Sequence, residues 1–289
     1  MEKKQSLFRR ILMSAPVRII IAVILLNVPV FIARSLTQWF FTEILNASEI
    51  VLETSVFLAR VLSIYFIYYY FVKLMEKRDP TELKIDFTAI REFLHGSILA
   101  VLSISTVLLI LYVTGGITIH SINSGEVILP NILYHFSFAF LQDMVFIAVL
   151  FRIIEESLGT MRAIVVASVI FGFQHLIYPG QTFLSAAFQT IEGGLAFCAF
   201  FILTRRIWML VGFHFFWNFI QGGIVNSNQV GGNPSLFNTQ FSGAQILTGD
   251  PVGLEASLIT FILVTGVGIY YAVKAFRQNK FIVIKKPLQ

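Results

Sequence analysis

Charge is scarce in this chain. Only 13% of its 289 residues are Asp, Glu, Lys or Arg, against about 25% in an ordinary soluble domain. With 56% hydrophobic residues and a mean hydropathy of +0.79, the composition excludes a soluble enzyme and places the chain in the membrane class. Cysteine is scarcer still. Cys198 stands alone in an apolar run, so no internal disulfide exists and the thiol reads as a small buried hydrophobe. No His-Glu-x-x-His spacing occurs anywhere, which disfavours zinc, and no cofactor is expected. A linker rich in Ser and Pro is also missing, as is any clear internal repeat, so residues 1–289 read as one membrane domain.

What is present is a series of apolar runs. A spanning helix needs about 20 mostly apolar residues. That rule gives eight spans, at about 16–36, 50–73, 95–115, 130–152, 161–179, 182–204, 206–226 and 252–274. The fold class is therefore all-α, a polytopic integral membrane protein. The net charge of +5 would suit nucleic acid, but its distribution argues against such a partner. Lys and Arg collect in residues 1–10, in the link around 73–92, at Arg152 and Arg162, at Arg205-Arg206 and in the tail 275–289. The alternate connections, about 37–49, 116–129, 180–181 and 227–251, contain none. Every second loop being empty is the positive-inside pattern for eight spans with both termini cytoplasmic, in a multi-pass protein of the cell membrane. The first run is long enough to span and lacks a convincing cleavage site, so it reads as an uncleaved first helix. Residues 77–92 read as an amphipathic surface helix, and the extracytoplasmic loop 227–251, rich in Gly and Asn, as irregular chain.

Several polar residues fall inside the spans, where an ionisable group costs roughly 2.5–3.5 kcal/mol. Glu53 and Arg60, two helical turns apart, read as a structural ion pair or packing contact, and Arg34 lies close enough to the outer end to snorkel. The rest form a pattern. "HFFWN" puts His214 and Asn218 at i, i+4 on one helix face, and "FGFQH" does the same for Phe171 and His175. "FLQD" sets Gln142 beside Asp143 in the fourth span. Two imidazoles, an Asn and an acid–amide pair on short-linked helices can hold a polarised water and orient a carbonyl.

In these residues the chain resembles the CPBP family of CAAX-protease and bacteriocin-processing intramembrane endopeptidases. Family members carry Glu-Glu-x-x-x-Arg on one helix, Phe-x-x-x-His on the next and His-x-x-x-Asn two helices later. The resemblance covers about 90–226 and implies a catalytic core there, with a membrane-associated peptide or protein as substrate and partner besides the lipid bilayer. It also implies that the first Glu and the His at position 175 activate water, while His214 and Asn218 bind the oxyanion. Glu155-Glu156 is a tempting match for the first motif, but Arg162 follows Glu155 by seven residues rather than five. Counting back from His175, the acidic pair falls on Gln142-Asp143 and the Arg on Ile147. The first motif is thus degenerate.

Gln142 cannot act as a base, though its amide can hold a water. Losing one general base costs on the order of 10²–10⁴ in rate. The expected function is therefore recognition of membrane peptides or protein tails with impaired or lost hydrolysis. The alternatives are an active protease that uses Asp143 or Glu192 with His175, and a transporter-like protein. Asp143 points about 100° away from Gln142, whereas Glu192 lies at a similar depth on the sixth span.

Overall fold

The computed structural model describes residues 7–178, 180–227 and 234–284, with side chains from residue 10 onward. Eight long helices carry the architecture. They are α1 (Ala15–Ile44), α2 (Glu49–Glu76), α3 (Phe87–Val113), α4 (Gly125–Leu158), α5 (Thr160–Ile177), α6 (Phe183–Thr204), α7 (Trp208–Asn218, continued by Phe219–Ile224) and α8 (Leu258–Arg277). Seven of them are long and apolar enough to cross a membrane by length and composition; α7 is shorter. Arg206, just before it, bonds Asp86 at one end, while at the other Val225 and Gly223 accept bonds from the segment 236–239. The molecule is an all-α polytopic membrane protein.

Local chemistry sets the boundaries. Pro16 sits in the first turn of α1, where its missing N–H costs nothing. Asp86 caps α3 by accepting from the Ala89 amide at 2.9 Å. Thr182 and Ser185 form a reciprocal cap at the start of α6. The expected amphipathic helix at 77–92 is not there. Lys77 adopts the left-handed conformation that ends α2, and Asp79, preceding Pro80, is pushed out of the helical region. A single turn at Thr81–Leu83 follows, with Glu82 and Leu83 buried, before α3 begins. The loop 227–251 is also less irregular than expected. Phe237–Phe241 pairs antiparallel with Ile117–Ile122 in a two-stranded sheet, and Gln245–Thr248 forms a helical turn. Residues 228–233 of that loop, 1–6 at the amino terminus and 285–289 of the basic tail lie outside the described residues.

Small residues let the helices meet backbone to backbone, as association in lipid requires. A methyl at Gly212 of α7 would come within 2.1 Å of the Phe93 carbonyl oxygen, and one at Gly96 of α3 within 1.9 Å of the Met209 oxygen. Helices α4, α6 and α7 supply the buried core, including Phe140, Met144, Phe151, Phe200 and Phe213. Outward faces carry large exposed apolar side chains such as Ile20, Phe31, Leu109, Val165 and Ile262, a surface suited to acyl chains rather than water.

Both described ends of the chain meet one face, rich in arginine. Arg18 bonds Glu76 and Glu156, and Arg152 bonds the same two acids. Arg78 bonds Glu82 at 2.6 Å, Arg205 bonds Glu155, and the Ile282 amide donates to Thr160 at 2.8 Å. Glu155 and Glu156 are thus structural anchors at this face. The Arg206 guanidinium, with the Ala89 amide, holds the Asp86 carboxyl well below the usual carboxylate range. For Glu82, desolvation pushes upward, but the bonds from Arg78 outweigh it and the carboxyl ends below its ordinary value.

Candidate active site

The bundle interior holds a cavity of about 70 Å³, room for a few water molecules. Gln142 lines it from α4, His175 from the end of α5, Glu192 from α6, and His214 and Asn218 from α7. Five of the six expected site residues therefore share one hollow. The sixth, Asp143, sits behind it.

Each side chain is placed by its helix. The His175 Nδ1 lies 2.8 Å from the Phe171 carbonyl oxygen one turn back, and its ring meets the Phe171 ring edge-on at 5.0 Å. A carbonyl only accepts, so Nδ1 carries the hydrogen and Nε2 is the acceptor nitrogen. On α7, His214 Nδ1 donates to Asp143 Oδ1 at 2.7 Å, and the imidazole leans on Phe197 at 4.8 Å. That bond commits Nδ1 of His214 and leaves its Nε2 as the nitrogen free to meet a ligand. Gln142 and Asp143, one helical step apart, divide their tasks: the amide lines the cavity and the carboxylate orients His214. Directly after them the winding of α4 loosens to π-helical turns from Met144 to Phe151, and α7 does the same from Phe219, directly after Asn218. Such turns concentrate at functional sites.

The arrangement narrows the alternatives drawn from sequence. Asp143 is bonded to His214 and does not line the cavity beside His175. Glu192 faces the cavity, and one of its carboxylate oxygens has no protein partner among the described residues. Ile147 is buried in the apolar core.

Sequence reasoning missed a second carboxyl. Glu255, in the turn before α8, lines the same cavity and is held by the Gln221 side-chain amide. An acid at the very start of an apolar run, in "GLEASLI", was the available signal. His135 also reaches the cavity, with Tyr178 and Gln189. Among the described residues no three His, Cys, Asp or Glu groups are arranged to hold a metal ion.

Comparison with protein families gives a match over about a third of the chain. Residues 123–220 match the family model described as type II CAAX prenyl endopeptidase Rce1-like. The chain carries an Rce1-like domain. It begins just before α4 and ends inside α7, so it contains all six site residues expected from sequence, and Glu255 lies beyond it. Neither the curated proteins nor the solved structures give a match. The Rce1-like domain supports an intramembrane endopeptidase fold of the CPBP type in a multi-pass membrane protein.

Proposed function

We propose that the Rce1-like domain binds the backbone of a membrane-associated peptide or protein tail and hydrolyses it slowly or not at all, with the arginine-rich face in the cytoplasm. The observation that carries this reading is the sharing of one cavity by Gln142, His175, His214 and Asn218. Asn218 offers an amide donor to a carbonyl oxygen, and His214 is held in a fixed tautomer by Asp143. His175 presents an acceptor nitrogen to a water. The missing piece is a base in Gln142's place, which on general grounds costs on the order of 10²–10⁴ in rate. The chemistry is proposed to need no metal.

The test is processing of candidate membrane peptides in cells, read beside photo-crosslinking of the same peptides. Wild-type protein is expected to capture peptide without cleaving it, and Gln142→Glu, alone or with Ile147→Arg, to raise cleavage. Absence of capture by wild type, together with absence of cleavage in every variant, overturns the reading.

A second reading is favoured by one observation: Glu192 and Glu255 both line the cavity. In it, one of these carboxylates takes the proton of a water as its oxygen attacks the peptide carbonyl, then returns that proton to the leaving amine. Either Glu192→Gln or Glu255→Gln, whichever removes that base, then abolishes a cleavage that wild type already performs.

A further inference from the structure

Two arginines face each other within the apolar part of α1 and α2. Arg34 and Arg60 line a second cavity of about 60 Å³, with Gln38, Tyr134 and Ser137, far from the arginine-rich face. Glu53 lines it too; of the ion pair or packing contact expected of Glu53 and Arg60, the ion pair does not form. Among the described residues, neither arginine has a carboxylate within 4.0 Å. Two guanidinium groups on one cavity without a contacting carboxylate leave positive charge there with no partner among the described residues.

Depth says what stands near them. Arg18 pairs with Glu76 at the basic face. Sixteen residues along each of the two antiparallel helices stand Arg34 and Arg60, about 24 Å away at helical rise. An arginine stem reaching outward covers most of the remainder of a hydrocarbon core about 30 Å thick. That level is where phospholipid phosphates lie in the leaflet opposite the basic face. Immediately beyond it opens a larger groove of about 610 Å³, sharing Glu53 and Leu133 with the arginine cavity and lined by Glu49 and Glu126. Going outward, the order is therefore two cations and then three acids.

We propose that this site holds one phospholipid whose headgroup carries a cationic amine, with the phosphate on Arg34 and Arg60 and the ammonium on Glu53, Glu49 and Glu126. A simple anion answers only the inner half, because the acidic groove repels it. The site is separate from the catalytic cavity and independent of whether that cavity cleaves anything.

The test is native mass spectrometry of the full chain released from bilayers of phosphatidylethanolamine, phosphatidylglycerol or phosphatidylcholine. Wild type should retain phosphatidylethanolamine over phosphatidylglycerol. Arg34→Gln and Arg60→Gln should each lower retention about tenfold, the loss of one charge-assisted contact. Arg34→Lys, which keeps the charge on an exposed side chain, should retain more lipid than Arg34→Gln and melt at the wild-type temperature. Glu53→Gln should erase the preference between the two lipids. Equal retention of the two by wild type, unchanged retention in Arg34→Gln, or displacement of the lipid by millimolar inorganic phosphate each overturns the proposal.

Discussion

Replacing Gly212 by Ala tests the packing that places His214. In an exposed helix this change stabilises, since Gly is about 1 kcal/mol less favourable than Ala in a helix interior. At Gly212 the new methyl would sit 2.1 Å from the Phe93 carbonyl oxygen, where real β-carbons essentially never come within 3.0 Å. Helices α3 and α7 must then part by about an ångström. The reciprocal contact at Gly96 opens with them, so the strain cannot be relieved by one flexible side chain. Overpacking of this kind costs about 1–3 kcal/mol. Gly266 on α8 is the matched control, because a methyl there meets nothing within 4 Å. Both variants gain the same helix propensity, so they should differ by the overpacking cost of about 1–3 kcal/mol, which at roughly 2–4 °C per kcal/mol is about 2–12 °C in unfolding midpoint. Tryptophan fluorescence during a thermal ramp in detergent reads this, with Trp208 and Trp217 on the displaced helix. Midpoints for Gly212→Ala and Gly266→Ala that agree within experimental error would refute the reasoning.

Asp143→Ala leaves the buried His214 Nδ1–H without its acceptor and should cost about 1–3 kcal/mol; Asp143→Asn, which keeps a side-chain oxygen, should cost less, and equal thermal midpoints would contradict the assigned bond. Glu82 has a carboxyl held below its ordinary value by Arg78. Its contribution is therefore complete above the unfolded value of about 4.3 and is lost as pH falls through the lower folded one. A melting series from pH 6 to pH 2 should show an acid-side decline in wild type that is shallower in Glu82→Gln. Cys198 is fully buried, so a maleimide should fail to label it in the folded protein and label it completely in hot SDS.

The helices were legible because lipid demands long apolar runs, and the histidine motifs were legible because i, i+4 spacing survives folding unchanged. Helix ends were less so. The span expected to start at 95 starts at Phe87 because Asp86 caps it and Arg206, from another part of the chain, neutralises that cap. Period alone turned Asp143 away from Gln142, but nothing in the sequence named His214 as the group it turns toward. Glu255 stayed hidden because a turn, not a helical face, carries it into the cavity. Glu53 and Arg60 show the opposite failure. Two turns on one face put both beside one cavity, yet no ion pair forms between them.

The strand pair has a consequence for how the protein is made. Ile117 and its partner Phe241 are more than a hundred residues apart, so at about 5–20 residues per second the ribosome delivers the second strand on the order of ten seconds after the first. Through that interval "ITIHSI", without a single charged or proline residue to blunt it, stands with an open backbone edge. A chain whose translation stops before the seventh helix never closes that clasp, and its nascent fragments should be the ones that aggregate.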